Sequence, residues 1–190
     1  MCGRYNFSKN SSSPMVQKVF EHLQERQIEV KTGEVNPGDI AAVIASNRKL
    51  EPQAFGMKWG YKLPDGKLIF NARSETAAQK AMFADGMRQR RCLIPADCYY
   101  EWQKTGQGKQ KYQIAPTDAN GFFLAGIYRI EQGRPAFSIL TKDPAGGKRK
   151  CMPAFETRTD SPGETPEIPQ DPCQHWRGIL RRVQRPLQHI

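Results

Sequence analysis

Short apolar runs closed off by turn-forming residues fill the first three quarters of the chain and then stop. Residues 41–45, 68–70, 112–114, 122–128 and 137–141 each read as a β-strand, and Gly, Pro, Asn and Asp separate them. Helical spacing is clear in one place, where Met15, Val19, Phe20 and Leu23 share a face after the capping-prone SSSP run at 11–14. An alanine-rich piece, residues 75–82, predicts a short second helix. The expectation is a β-rich α+β domain with no internal linker before about residue 143.

Beyond that point the pattern changes. Residues 144–190 hold as many prolines as everything before them, show no period-2 alternation, and give a helical hint only at 176–183. Low hydrophobicity with many prolines predicts loop or poor order. The expected organisation is a domain body over 1–143 and an atypical Pro/Arg-rich segment over 144–190.

Composition narrows the class. With 38% hydrophobic and 25% charged residues, the chain can bury an ordinary core, which excludes collagen, coiled coil and wholesale disorder. No window reaches the length of apolar sequence that a membrane span needs, and the amino terminus lacks a signal-type apolar region. These features predict a soluble, cytoplasmic protein without a membrane partner. Five cysteines, odd in number and without a C-x-x-C pair, predict free thiols rather than disulfides or a zinc site, and no metal or cofactor is expected. The net charge of +10 fits either a well-solvated surface or a polyanion partner.

Three places carry chemistry. Removal of the initiator methionine before a small residue leaves Cys2 with both a free α-amine and a thiol. This 1,2-aminothiol can condense with an aldehyde to an imine and close to a thiazolidine; the alternative reading is a plain residue in a frayed terminus. Arg4 beside it suits an anion or solvent equally. FNARSET at 70–76 puts Asn71, Arg73 and Ser74 at a strand-to-helix junction, where Arg73 can grip a phosphate, or Asn71 or Ser74 can cap the helix. RCLIPADCYYEW at 91–102 reads as an apolar turn carrying Asp97 and two tyrosines, with Glu101 standing between Tyr100 and Trp102. A carboxylate there is either partly desolvated and fit for proton transfer, or a surface residue on an edge strand.

The ordered blocks MCGRY, VNPGD (35–39), MKWGY (57–61), FNARSET, RCLIPADCYYEW, AGIYRI (125–130) and FSILTKD (137–143) resemble the SRAP family (SOS-response-associated peptidase) over about three quarters of the chain. The resemblance implies a single domain with a curved or barrel-like mixed sheet and a few flanking helices. It also implies a monomer that recognises abasic sites in single-stranded DNA and links to them covalently through Cys2, in the DNA-damage response, after Met1 removal by its own peptidase activity. By the same resemblance Cys2, Asn71 and Glu101 are catalytic, and Arg4 and Arg73 hold DNA phosphates. Trp59 is the candidate base-stacking residue, with core filling as its alternative reading.

The chain departs from the family pattern near its end. Aligning the family's His-x-Arg-Met-Pro-like run on Met152 and Pro153 puts Arg149 at the histidine and Cys151 at the arginine, and His22, His175 and His189 lie elsewhere. Two readings stand: a divergent member in which Arg149 supplies charge without exchanging protons, or a coding frame changed near Gly147. The functional alternative to cross-linking is non-covalent binding of single-stranded or damaged DNA. A thiol peptidase acting on other peptides lacks a Cys–His pairing.

Overall fold

The structure is a computed structural model and describes residues 2–106, 108–115, 122–142, 152–153 and 155–156. Strand β1 (Tyr5–Phe7) is followed by helix α1 (Pro14–Glu25), and then by β2 (Gly33–Val35), β3 (Ile40–Ser46) and β4 (Pro52–Trp59). The small strands β5 (Tyr61–Lys62), β6 (Leu68–Ile69) and β7 (Asn71–Arg73) lead into helices α2 (Ser74–Ala77) and α3 (Ala81–Gln89). Strands β8 (Arg91–Ala96), β9 (Cys98–Thr105), β10 (Gly108–Ile114), β11 (Phe122–Glu131) and β12 (Arg134–Lys142) follow.

The large sheet runs β12-β4-β3-β8-β11, and β11 pairs back to β12, so these strands close into a barrel. Most pairs are antiparallel, while β4 and β7 each run parallel to β12, which makes the sheet mixed. The α+β, β-rich, barrel-like architecture implied by the sequence is the observed one. A second sheet, β10-β9-β1-β2, carries the chain start.

The sequence explains the closure. Strand β3 is almost entirely buried along IAAVIAS, and β8 likewise along RCLIPA, because one face lines the barrel and the other is covered. Helix α1 packs on β4 and β8 through Val16, Val19 and Leu23, and the Ser13 side chain caps it by accepting from the Val16 N–H. Small residues let the strands approach. A Cβ at Gly126 would meet Ile94 Cδ1 at 2.5 Å and both Cys92 Sγ and the Ser138 carbonyl at 3.1 Å.

Two expectations are corrected. Residues 75–82 are not one helix: α2 stops at Ala77, and α3 starts afresh after Lys80, whose backbone is extended at φ −92° and ψ 124°. RCLIPADCYYEW is not an apolar turn. It is two strands in different sheets, with Asp97 at the corner accepting from the Ser8 N–H at 2.7 Å, from Asn6 Nδ2 at 3.4 Å and from the Ser11 hydroxyl. Past residue 143, β13 (Met152–Pro153) adds to β12 and β14 (Phe155–Glu156) to β11. Arg149, Cys151, His175, His189 and the helical hint at 176–183 lie outside the described residues.

Candidate active site at the amino terminus

Strand β1 enters the fold beside β9, with Tyr5 opposite Tyr99, and the Tyr100 N–H donates to the Arg4 carbonyl at 2.8 Å. Continuing that antiparallel register brings the residues before Arg4 alongside Glu101 and Trp102. Pleating sends Tyr5 and Tyr99 into the core and Arg4 and Tyr100 to the opposite face.

Cys2 is fully buried against this junction. The Asn71 side-chain amide donates to the Cys2 carbonyl at 2.8 Å, across 69 residues of sequence. Asn71 sits at the start of β7, whose parallel pairing opposite Ile139 fixes its place. The Asn71 Oδ1 is buried and has no hydrogen-bond partner among the described residues, so an acceptor is left facing into the site. In the sequence, Cys2, Asn71 and Glu101 lie in three separate motifs. The structure brings all three together.

Electrostatics mark the two titratable members. Burial pushes the Cys2 thiol up to about 12, the Arg4 carbonyl it bonds pulls it back, and the nearby Glu101 carboxylate raises it further. Glu101 is half-buried. Desolvation lifts its carboxyl above the ordinary glutamate value, and the positive amino terminus works in the opposite direction. A thiol and a carboxyl therefore lie near each other in a poorly solvated place, where burial favours the neutral form of each.

Trp59 does not serve as a DNA contact in this geometry. It is fully buried, 5.2 Å from the Tyr5 ring and stacked on Phe137 at 6.1 Å, with Phe70 edge-on at 5.9 Å. The base-stacking expectation gives way to core packing because every face of the indole is occupied by protein. Its Nε1 donates to the Phe70 carbonyl at 2.9 Å, one residue before Asn71, so Trp59 holds the strand that presents the amide. Gly60 next to it needs glycine, because its φ of +109° disfavours a side chain and its N–H donates to the Phe137 carbonyl at 2.8 Å.

Arg4 and Arg73 differ. Arg73 is exposed at the β7–α2 junction, two residues from Asn71 on the same strand face; it occupies the N-cap position, and no side chain caps this four-residue helix. Neither Ser74 nor Asn71 is the cap that the alternative reading expected. Arg4 pairs with Glu34 at 2.6 Å and lies 5.1 Å from the Trp102 ring centroid. Glu34 and Lys111 were missed in sequence, since they meet Arg4 only through strand pairing. Among the described residues no group of three or more His, Cys, Asp or Glu could hold a metal ion, and no helix is long and apolar enough to cross a membrane.

Residues 1–151 match the family of SOS response associated peptidases (SRAP). The chain belongs to the SRAP family. Among SRAP-related proteins, it is 28% identical over 155 residues to the abasic site processing protein YoqW of Bacillus subtilis, a match covering 76% of this chain and 69% of that one. It is 38% identical over 133 residues to the abasic site processing protein YedK of Escherichia coli, covering 67% of this chain but only 59% of YedK. The solved structure of a Bordetella bronchiseptica protein shares the fold with a TM-score of 0.62 at 23% identity, over 81% of this chain and 83% of that one. A Bacteroides thetaiotaomicron protein does so with a TM-score of 0.61 at 22% identity, over 83% and 78%.

Proposed function

We propose that this SRAP chain recognises abasic sites in single-stranded DNA and links to them covalently through Cys2. The observation that carries the reading is the hydrogen bond from Asn71 to Cys2, with Glu101 beside the same cysteine. The names of its relatives, abasic site processing proteins, support the substrate class.

The chemistry begins with hydrolysis of the Met1–Cys2 bond, by the chain itself or by an aminopeptidase, which frees the Cys2 α-amine. An abasic deoxyribose opens to an aldehyde, and the amine adds to its carbon. The resulting carbinolamine loses water to give an imine. Cys2 sulfur then adds to the imine carbon while its proton passes to the nitrogen, closing a thiazolidine with a net loss of one water. Glu101 supplies a proton to the departing hydroxyl and takes one from the thiol. Asn71 fixes the Cys2 carbonyl, and its open Oδ1 is positioned as the acceptor for the α-amine. Arg4 and Arg73 engage flanking phosphates.

A second reading, non-covalent binding with weakened chemistry, is favoured by the full burial of Cys2 and by Arg149 at the aligned histidine position. One experiment separates the two. Incubation with a single-stranded oligonucleotide bearing one abasic site is expected to give a heat-stable species on a denaturing gel, absent with undamaged DNA and absent for Cys2→Ala. An equal yield from Cys2→Ala, or no adduct alongside retained salt-sensitive binding, contradicts the cross-linking reading.

A further inference from the structure

On the face of the β10-β9-β1-β2 sheet opposite the core, one carboxylate is held by two cations. Glu34 of β2 gives one oxygen to Arg4 at 2.6 Å and the other to Lys111 of β10 at 2.5 Å. Strand pairing arranges this. Asn6 lies opposite Glu34, and Lys111 lies opposite Trp102, so residues 77 apart in sequence meet over one patch of sheet. Aromatic rings fix the cations in place: Lys111 Nζ is 3.9 Å from the Tyr100 ring centroid and 5.8 Å from that of Trp102, and the Arg4 guanidinium is 5.1 Å from Trp102. The side chains of Arg4, Glu34 and Lys111 are 36%, 37% and 39% exposed, so a ligand from solvent reaches all three.

A carboxylate with a cation on each oxygen presents the same charge and the same oxygen acceptors as a phosphodiester. Arg4 is two residues from the reacting cysteine, so a DNA strand whose abasic sugar reaches Cys2 carries its neighbouring phosphate past these cations. Exposed ion pairs contribute little to stability, which leaves the carboxylate displaceable.

We propose that Glu34 is an internal stand-in for a DNA backbone phosphate, holding Arg4 and Lys111 converged until a strand displaces it, and that Lys111 is a further phosphate contact of the site. The inference rests on the strand-binding reading above. The released carboxylate stays beside the bound strand, repels it and recruits a cation. Glu34 thus weakens binding and flattens its salt dependence, in exchange for cations that are already convergent.

The test is fluorescence anisotropy of an undamaged single-stranded oligonucleotide across a salt series, for the wild type, Glu34→Gln and Lys111→Gln. Glu34→Gln binds several-fold tighter at low salt with a steeper slope. Lys111→Gln binds more weakly, with a slope of log K against log salt shallower by about 0.7, the value for one phosphate contact on a single strand. Unchanged or weaker binding by Glu34→Gln, or wild-type behaviour of Lys111→Gln, overturns the proposal. Wild-type adduct yield on the abasic version of the same oligonucleotide is scored in parallel. Tightening without any adduct upholds the stand-in and overturns cross-linking; an adduct without tightening does the reverse. No strand binding by any variant overturns both.

Discussion

Burial pushes the Cys2 thiol to about 12, so at neutral pH almost none of it is thiolate, and ring closure needs a base beside the sulfur. Glu101 is the group in that place, and desolvation raises its carboxyl above the usual range. In this sequence of steps Glu101 first gives its proton to the departing hydroxyl and then, deprotonated, takes the thiol proton, so it enters the reaction protonated and the rate of adduct formation is expected to fall as pH rises through this raised value, on a limb displaced upward from that of a solvent-exposed glutamate. Glu101→Gln is predicted to slow the reaction by roughly 10²–10⁴-fold, the usual worth of a positioned general acid or base, and to remove the limb. Time courses of adduct formation across pH measure both; an unaltered limb in Glu101→Gln contradicts the assignment. The same shift has a stability consequence. The folded chain holds this proton more tightly than the unfolded chain, so the contribution is fully present below the unfolded pKa and is lost as pH rises through the folded one.

Among the elements, the barrel depends on close strand approach at Gly126. Gly126→Ala is predicted to destabilise by about 1–3 kcal/mol, because the new methyl meets Ile94, Cys92 and the Ser138 carbonyl at once. Denaturant unfolding measures it, and wild-type stability would show that Ile94 moves aside freely. Helix α1 was legible in the sequence because Met15, Val19, Phe20 and Leu23 repeat at helical spacing with Ser13 before them. Strand β4 was not. Its alternation, buried at Pro52, Ala54, Met57 and Trp59, slips by one residue at Gly56. The split between α2 and α3 was hidden too, since the alanine-rich sequence favours helix throughout, while Ala77 and Phe83, on either side of the break, are both buried in one cluster. At the site, Cys2, Asn71 and Glu101 were legible from motif and chemistry. The Glu34 and Lys111 pair was not, because only the β1–β2 and β9–β10 pairings put those charges together.

For the whole molecule, the net charge of +10 acquires a direction. Part of it converges on the strand face beside Cys2, through Arg4 and Lys111, and Arg73 stands exposed two residues from Asn71. Composition changes after residue 143, but the pairing of β13 and β14 beyond it was not legible, because two-residue strands leave no periodic signal. All three scales meet in the proposed reaction, in which the buried Cys2, held beside β1 and β7 and freed of Met1, condenses with an aldehyde on a polyanion. Intact-mass spectrometry of the protein mixed with single-stranded DNA carrying one abasic site measures that product. The expected product is a species whose mass is the chain without Met1, plus the oligonucleotide, less one water. A product that retains Met1, or protein and oligonucleotide recovered only as separate masses, contradicts it.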